Sequence, residues 1–548
     1  MEINKVINST IVKTYHQQTK HYADRPARSS GYMDWANQPV PFRCYSGARE
    51  IQLPLIDKDP GLPYNALYKI NAVSPINLFS ISTLLSLSMG LSAWKKYESN
   101  EWALRINPSS GNLHPTECYL LLPGFSDKPA CLAHYHPYLH ILQETAILNQ
   151  QQCEDFNALG GFGLILTSIT WREAWKYGER AYRYCQHDVG HALAALRFAC
   201  NLNGWKMTLI PQVHEQELND FLALDTIVGE EECADCLCWI DVKEIDSDSI
   251  SQWFKQQKLL NHQHKANRLS AQHVDWEIIK RVQQASRSQG QVSRLTTQRP
   301  ESNPAQLNSP YGAEDIIRKR RSAQRYSQQN SKTDMPVFLH MLSRTLASKG
   351  CPFDLFPYPS RVHLILFVHA INGLESGLYI WLRNTQHLQD LKQQCHTNFD
   401  WLLVEKGYPL YRLEKGNFRE KAQTISCNQA IAGDSAFSLG MIAQFDAVID
   451  EDPSSYPRLF WETGLIGQVL YLEAEAFDLR GTGIGCFFDD QLHDLLGVKN
   501  KSWQSLYHFT VGKPLDDLRL ETKAPYYHLR SVQNSSESKN TVNSKPNE

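Results

Sequence analysis

Two stretches of this chain are apolar on almost every side. DVGHALAALRFACNLNGW (Asp188–Trp205) and ETGLIGQVLYLEAEAFDLRGT (Glu462–Thr482) each open with an acid, one residue and a glycine, then continue as a mostly apolar helix ending in Leu-x-Gly. A helix without a broad polar stripe is buried on most faces, so both are predicted inside a core. Short apolar runs flank them and read as strands. GFGLILTSI (Gly161–Ile169) and SAFSLGMIA (Ser435–Ala443) precede the helices, and CLCWIDV (Cys236–Val242) and SLYHFTV (Ser505–Val511) follow them. The same order of elements thus occurs twice, with a period of roughly 270 residues, too long for a solenoid. Two copies of one α+β domain account for this. Tandem copies can replace the partners of a homodimer, so the halves are predicted to pack as an intramolecular pseudo-dimer.

Residues 284–310 (QASRSQGQVSRLTTQRPESNPAQLNSP) hold almost no large apolar side chains and read as a linker. The polar stretch 531–548 reads as a disordered tail. The expected division is a first domain over 1–260, a helix and linker region over 261–310, a second domain over 311–530, and the tail.

Composition narrows the function classes. Of 548 residues, 42% are apolar and 21% charged, an ordinary globular balance. Length alone allows about three or four domains. A net charge of −3 gives no electrostatic case for nucleic acid or an anionic membrane. No apolar run approaches the ~18 residues of a spanning helix. The first twenty residues, MEINKVINSTIVKTYHQQTK, lack the apolar core of a signal peptide. Thirteen scattered cysteines, an odd number, suggest reduced thiols and a cytoplasmic location.

Candidate chemistry lies in a few stretches. RINPSSGNLHPTECYLLLP (Arg105–Pro123) is a small-residue turn feeding an apolar strand. Pro108 fixes one backbone angle and Gly111 permits positive ones, so the turn displays Ser109, Ser110, Asn112 and backbone N–H groups beside a buried strand. RGTGIGCFFDD (Arg480–Asp490) is no dinucleotide fingerprint, because a helix precedes it and its spacing is G-x-G-x-G. It reads as a glycine helix stop or as a loop whose N–H groups face a ligand. IRKRRSAQRYS (Ile317–Ser327) is a solvated basic face or a phosphate clamp, since guanidinium forks suit phosphate oxygens. WREAWKYGERAYRYCQHDVG (Trp171–Gly190) is a packed amphipathic segment, or it offers Lys176 and Tyr177 as a proton-handling pair. CADCLC (Cys233–Cys238) has no second pair for zinc and reads as buried cysteines on a strand. There is no H-E-x-x-H, Walker loop or G-x-S-x-G elbow.

Taken in order, these stretches resemble the FMN-dependent nitroreductase family, and within it the SagB-type dehydrogenases that include azoline oxidases of thiazole/oxazole peptide pathways. The resemblance covers about residues 15–255 and 311–527. It implies a mixed, mainly antiparallel sheet flanked by helices in each half, with FMN at the interface between them. It implies a phosphate clamp at Arg320, Arg321 and Ser322, and N–H donors from Gly483, Ile484, Gly485 and Cys486 near the flavin ring. It also implies a flavin-facing turn at Pro108, Ser109, Ser110, Gly111 and Asn112, and a catalytic pair at Lys176 and Tyr177. The second-half counterpart of the turn, FPYPSRVHLILF (Phe356–Phe367), has no Ser-Gly-Asn, and the first half has no Arg-Arg-Ser near its start. The halves are therefore complementary. One composite FMN site takes its turn from the first and its clamp and loop from the second, while the symmetry-related site lacks both and is expected empty. Two departures stand out. The family's clamp often has a basic residue where Gln324 stands, with Arg325 next to it, and the C-terminal basic ligand is either Arg519 or Lys523. The implied activity is hydride transfer between FMN and a small organic or peptide-derived substrate, with NAD(P)H a candidate electron donor. The alternative is a degenerate, non-catalytic ligand-binding module.

Overall fold

The computed structural model describes residues 2–56, 58–125, 128–224, 227–257, 264–288 and 307–530. Most of the expected linker and all of the expected tail lie outside the described residues.

Each half builds a seven-stranded antiparallel sheet. The first contains β1 (Arg49–Gln52), β2 (Thr116–Leu122), β3 (Cys131–His136), β4 (Ile141–Ile147), β5 (Phe162–Ile169), β6 (Lys206–Leu209) and β7 (Glu232–Asp241), in the order β1-β4-β3-β2-β5-β7-β6. The second contains β8 (Val362–Val368), β9 (Gly377–Trp381), β10 (Leu402–Leu403), β11 (Leu410–Lys415), β12 (Phe437–Gln444), β13 (Arg480–Ile484) and β14 (Trp503–Gly512), in the order β10-β11-β9-β8-β12-β14-β13. From β4 to β6 and from β11 to β13 the two orders run in parallel. Central strands such as β2 and β8 are buried at every residue. Both of their faces are covered, which is why their sequences are continuous apolar runs instead of alternating ones.

The two apolar helices observed are α1 (Ala181–Leu202) and α2 (Ser455–Ala476). Both begin several residues before the acid-x-Gly signal. The second ends before the glycines, so Arg480–Ile484 is neither a helix stop nor a loop but edge strand β13, paired with β14 from Arg480↔Gly512 to Ile484↔His508. All residues of α1 are buried. The inner faces of both sheets and both helices share one core, in which Leu120 and Leu193 of the first half join Leu364 and Val469 of the second. Smaller helices cover the outer faces and form two separate cores.

α1 and α2 cross at their glycines. A Cβ on Gly190 would press on the Trp461 carbonyl and lie 2.8 Å from the Trp461 Cα, and one on Gly464 would lie 2.7 Å from the Gly190 Cα. Only hydrogen side chains permit this approach. The chain ends also interlace the halves. The N-terminal helix Glu2–Gln18 reaches Asp450 through Ser9 (2.5 Å) and Lys13 (2.6 Å). The C-terminal strand Glu521–Lys523 pairs with Leu91–Tyr97 of the first half. Residues 284 and 285, read as linker, belong to a helix (Glu277–Ala285) that packs on the N-terminal helix and buries Ile279, Val282 and Ala285. Their apolar partners lie upstream of the polar stretch, which is why they read as linker. No helix among the described residues is long and apolar enough to cross a membrane.

Gly190→Ala should therefore destabilise the whole molecule. Its methyl meets backbone, which cannot rotate away, so we expect the upper end of the about 1–3 kcal/mol range for overpacking. The denaturant midpoint checks this. An unchanged midpoint would mean that the helices separate freely.

Candidate active site

A cavity of about 740 Å³ opens where the halves meet, within the ~300–1,000 Å³ range of small-molecule sites. The first half supplies the turn at 108–112, which sits just before β2, together with Tyr177 and a stripe along α1. The second half supplies Arg320, Arg321 and Ser322, then Gly483 to Cys486. The sequence-predicted turn, clamp and glycine segment therefore line one space.

The turn is held from below. Asp188 of α1 accepts hydrogen bonds from the Ser110 N–H (3.2 Å) and hydroxyl (3.3 Å). The Ser109 hydroxyl accepts from the His114 N–H at 2.8 Å. Gly111 (φ +60°) lies against the Lys-Tyr pair: a Cβ there would be 2.7 Å from the Tyr177 hydroxyl and 3.3 Å from Lys176 Nζ. Asn112 uses its side chain internally. Its amide donates to the Ala103 carbonyl at 2.9 Å and its oxygen meets His114 Nε2 at 2.9 Å.

The basic end has unspent donors. Arg320 is buried, donates through Nη2 to the Arg105 carbonyl at 2.9 Å, and lies 5.1 Å over the Tyr471 ring. Among the described residues its Nε has no hydrogen-bond partner, and neither does the Nε of buried Arg105, which also lines the cavity. Burial lowers the pKa of both, Arg105 to about 10. Arg321 is likewise lowered to about 10, by burial and then by Arg320. Its Nη2 donates to the Ser92 carbonyl at 3.0 Å. Lys95 adds a further cation on the cavity wall. An anion here would relieve both the unmet guanidinium N–H groups and the mutual repulsion. The Ser322 hydroxyl bonds to that of Tyr471 at 2.8 Å. Neither Arg519 nor Lys523 lines the cavity: Arg519 pairs with Asp517 (2.7 Å) and Lys523 with Glu101 (3.1 Å). Gln324 lines it and Arg325 does not.

Along the glycine segment, the Gly483 N–H donates to the Tyr471 hydroxyl at 2.9 Å. Among the described residues, the N–H groups of Gly485 and Cys486 meet no protein acceptor. Gly485 has no room for a side chain, since a Cβ would strike the Tyr184 ring.

Asp188 lines the cavity, and a second carboxyl, Glu173, is buried outside its lining. Burial raises Asp188 to about 7, opposed by hydrogen bonds from Ser109 and Ser110. Glu173, on the helix Thr170–Tyr177, is raised by burial and then by the charge of Asp188, with Lys176 opposing. Burial, then Glu173, also raises the Tyr177 phenol. Tyr184, Asp188 and His191 occupy one face of α1 at helical spacing. This polar stripe in an apolar helix could have been read from the sequence as part of the site. Arg105 stood at the head of the quoted turn. Tyr471, Tyr507, Leu515 to Leu518 and Leu520, which also line the cavity, carried no local signal.

The pseudo-symmetric position is built differently. Glu462 of α2 accepts from the Ser360 hydroxyl (2.7 Å) and the Arg361 N–H (3.0 Å), as Asp188 does from Ser110. Here, however, Arg383 also pairs with the acid and donates to the Ser360 hydroxyl (3.0 Å). Arg458 covers Tyr358 at 4.4 Å, and Arg197 pairs across the halves with Asp354 at 2.7 Å. A cavity of about 70 Å³ is left beside Tyr358, Arg458 and Glu462.

With this geometry in hand, comparison with known proteins is informative. The nitroreductase family model matches residues 402–513, the stretch from β10 to β14. No curated protein matches the chain. The crystal structure of an Anabaena variabilis protein classed as a nitroreductase superposes with a TM-score of 0.66 at 22% identity, covering 92% of this chain and 99% of that one. Smaller overlaps occur with a Ralstonia eutropha protein of the same class (TM-score 0.27, 17% identity, 40% of this chain and 98% of that one). The Escherichia coli microcin synthetase McbBCD complex behaves similarly (TM-score 0.26, 17% identity, 44% and 94%). Residues 402–513 thus carry a nitroreductase family domain, and the chain as a whole has the fold of the Anabaena protein.

Proposed function

We propose that this chain is an FMN-dependent oxidoreductase of the SagB type with one composite site per chain, acting on a small organic or peptide-derived substrate with NAD(P)H as an electron donor. The observation that carries the proposal is the single cavity shared by the first-half turn and the second-half clamp. The residues present fit the cofactor: Arg105 and Arg320 both line the cavity, and among the described residues their Nε groups have no acceptor, which a phosphate could supply. Arg320, Arg321 and Lys95 would hold the phosphate. The N–H groups of Gly485 and Cys486 would face the ring and favour negative charge there. FMN, when bound, supplies hydride chemistry.

The chain's own residues supply binding and protons. The Tyr177 hydroxyl and Lys176 Nζ meet beside Gly111, where either can give or take the proton that accompanies hydride transfer. Buried Asp188 positions the turn through Ser110 and, with a pKa of about 7, can itself keep a proton near neutrality. The Tyr184 ring, Leu515 to Leu518 and Leu520 line the same space.

The direct test is stoichiometry. The purified chain should absorb near ~450 nm, as bound flavin does, and release one FMN per chain. Two per chain would refute a single composite site, and none would refute the flavin reading.

Arg320→Ala should weaken FMN binding about ten- to hundredfold, the equivalent of about 1.5–3 kcal/mol for a charge-assisted contact. Equilibrium dialysis reads the change. Unaltered affinity would place the phosphate elsewhere.

Asp188 also predicts a pH signature in flavin-free protein. Its folded pKa is raised from 3.8 to about 7. Between those values the folded state keeps a proton that the unfolded state has lost, so this group's stabilisation fades as pH rises from about 4 to about 7. Asp188→Asn removes the titration. Its stability relative to the parent should climb across that window, by up to about 4 kcal/mol, and level off above it. A difference independent of pH would show that Asp188 stays ionised.

A further inference from the structure

Cys486 and Cys427 form a pair that the proposed flavin chemistry leaves unused. Cys486 lines the cavity directly after Gly485 and is half-buried. Cys427 is also half-buried and lies just past the helix Arg419–Ile425. The two segments are tied together on both sides of the cysteines. The Phe488 N–H donates to the Ile425 carbonyl at 2.8 Å, and Gln429 Nε2 donates to the Cys486 carbonyl at 3.1 Å. Between these ties the two thiols lie near enough to shift each other's acidity. Cys427 and Asn428 take φ of +54° and +58°, an uncommon conformation for residues other than glycine. Strain of this kind clusters at functional positions.

The surroundings make the two sulfurs unequal. Buried Arg180 donates to the Gly485 carbonyl at 3.2 Å. The neighbouring Cys427 thiol lowers the pKa of Cys486, with Arg180 assisting while burial and Asp489 oppose. The Cys486 thiol, with burial, pushes Cys427 up. Cys118, Cys185 and Cys200, deep in the core, are pushed up by burial. The thiolate is the reacting species in disulfide chemistry, and Cys486 lines the cavity while Cys427 does not, so Cys486 is the attacking sulfur and Cys427 the resolving one.

We propose that Cys427 and Cys486 are a redox-active dithiol that exchanges with small-molecule disulfides and closes to a disulfide in the wall of the cavity. The Cys486 thiolate attacks one sulfur of a disulfide RSSR, forms a mixed disulfide and releases one RS⁻. Cys427 loses its proton, and its thiolate attacks the Cys486 sulfur and expels the second RS⁻. In net terms, two cysteine thiols are oxidised and RSSR is reduced to two RSH. Closure would fasten Gly485 and Cys486 to the turn at 425–429, so the shape of the cavity wall would follow the thiol–disulfide balance. This chemistry stands whether or not the cavity holds a flavin.

The test uses the full chain and oxidised glutathione. Reduced protein is incubated in glutathione buffers of increasing oxidised fraction. Free thiols are then blocked with iodoacetamide and the peptides mapped by mass spectrometry. The expected product is a peptide cross-linked between residues 427 and 486 that disappears on reduction. Cys427→Ser should stop the reaction at the first step, with glutathione retained on Cys486. Cys486→Ser should leave Cys427 at least tenfold slower to form an adduct than Cys486 is in the Cys427→Ser chain. The parent protein decides the matter even if a variant fails to fold. Both residues carrying the iodoacetamide label throughout the series would overturn the proposal, as would faster adduct formation on Cys427 than on Cys486. No flavin signal enters, so the result is independent of the FMN stoichiometry.

Discussion

The close crossing of two helices at Gly190 and Gly464 sets the geometry on which the rest of the molecule depends. With no side chain at either glycine, the backbones of the two halves touch. That contact draws the inner faces of both sheets into one core. It also brings the floor of the first-half turn near the clamp and glycine segment of the second. Asp188 stands two residues before one glycine and Glu462 two before the other, so each acid is held beside the crossing and beneath its own turn.

From this symmetric frame the two positions have diverged through a few charges. Under one turn Asp188 has hydroxyl and N–H partners and, among the described residues, no paired cation, and it lines the open cavity. Under the other, Arg383 neutralises Glu462, and Arg197 and Arg458 are held by Asp354 and Tyr358. The buried acid there carries its own guanidinium, and the cavity is about 70 Å³, against about 740 Å³ on the other side.

Much of this was legible in the residues. The apolar runs gave the strands to within a few positions and the helices to within about two turns, because burial on all faces leaves a continuous hydrophobic signal. Arg-Arg-Ser, Pro-Ser-Ser-Gly-Asn and Gly-x-Gly-x-Gly were each visible as local patterns, and residues of all three line the one cavity. What misled was also local. Gly481 and Gly483 looked like part of a loop or a helix stop, yet pairing with β14 places them in an edge strand that ends before Gly485, and strand pairing is a long-range property. Asn112 looked free to meet a ligand, but His114 and the Ala103 carbonyl take up its side chain.

The sequence by itself determined the duplication, the α+β composition of each half, and which residues could serve as clamp, turn and proton donors, because those follow from side-chain chemistry and periodicity. The tertiary structure alone decided that the Tyr177 hydroxyl reaches Gly111, that Arg105 joins Arg320 with unmet N–H groups, and that Arg383 fills the counterpart position. It alone decided that Cys427 and Cys486 meet. Each of these is a contact between residues distant in the chain, and such contacts are fixed only when two backbones approach closely enough for the packing of one half to place the side chains of the other.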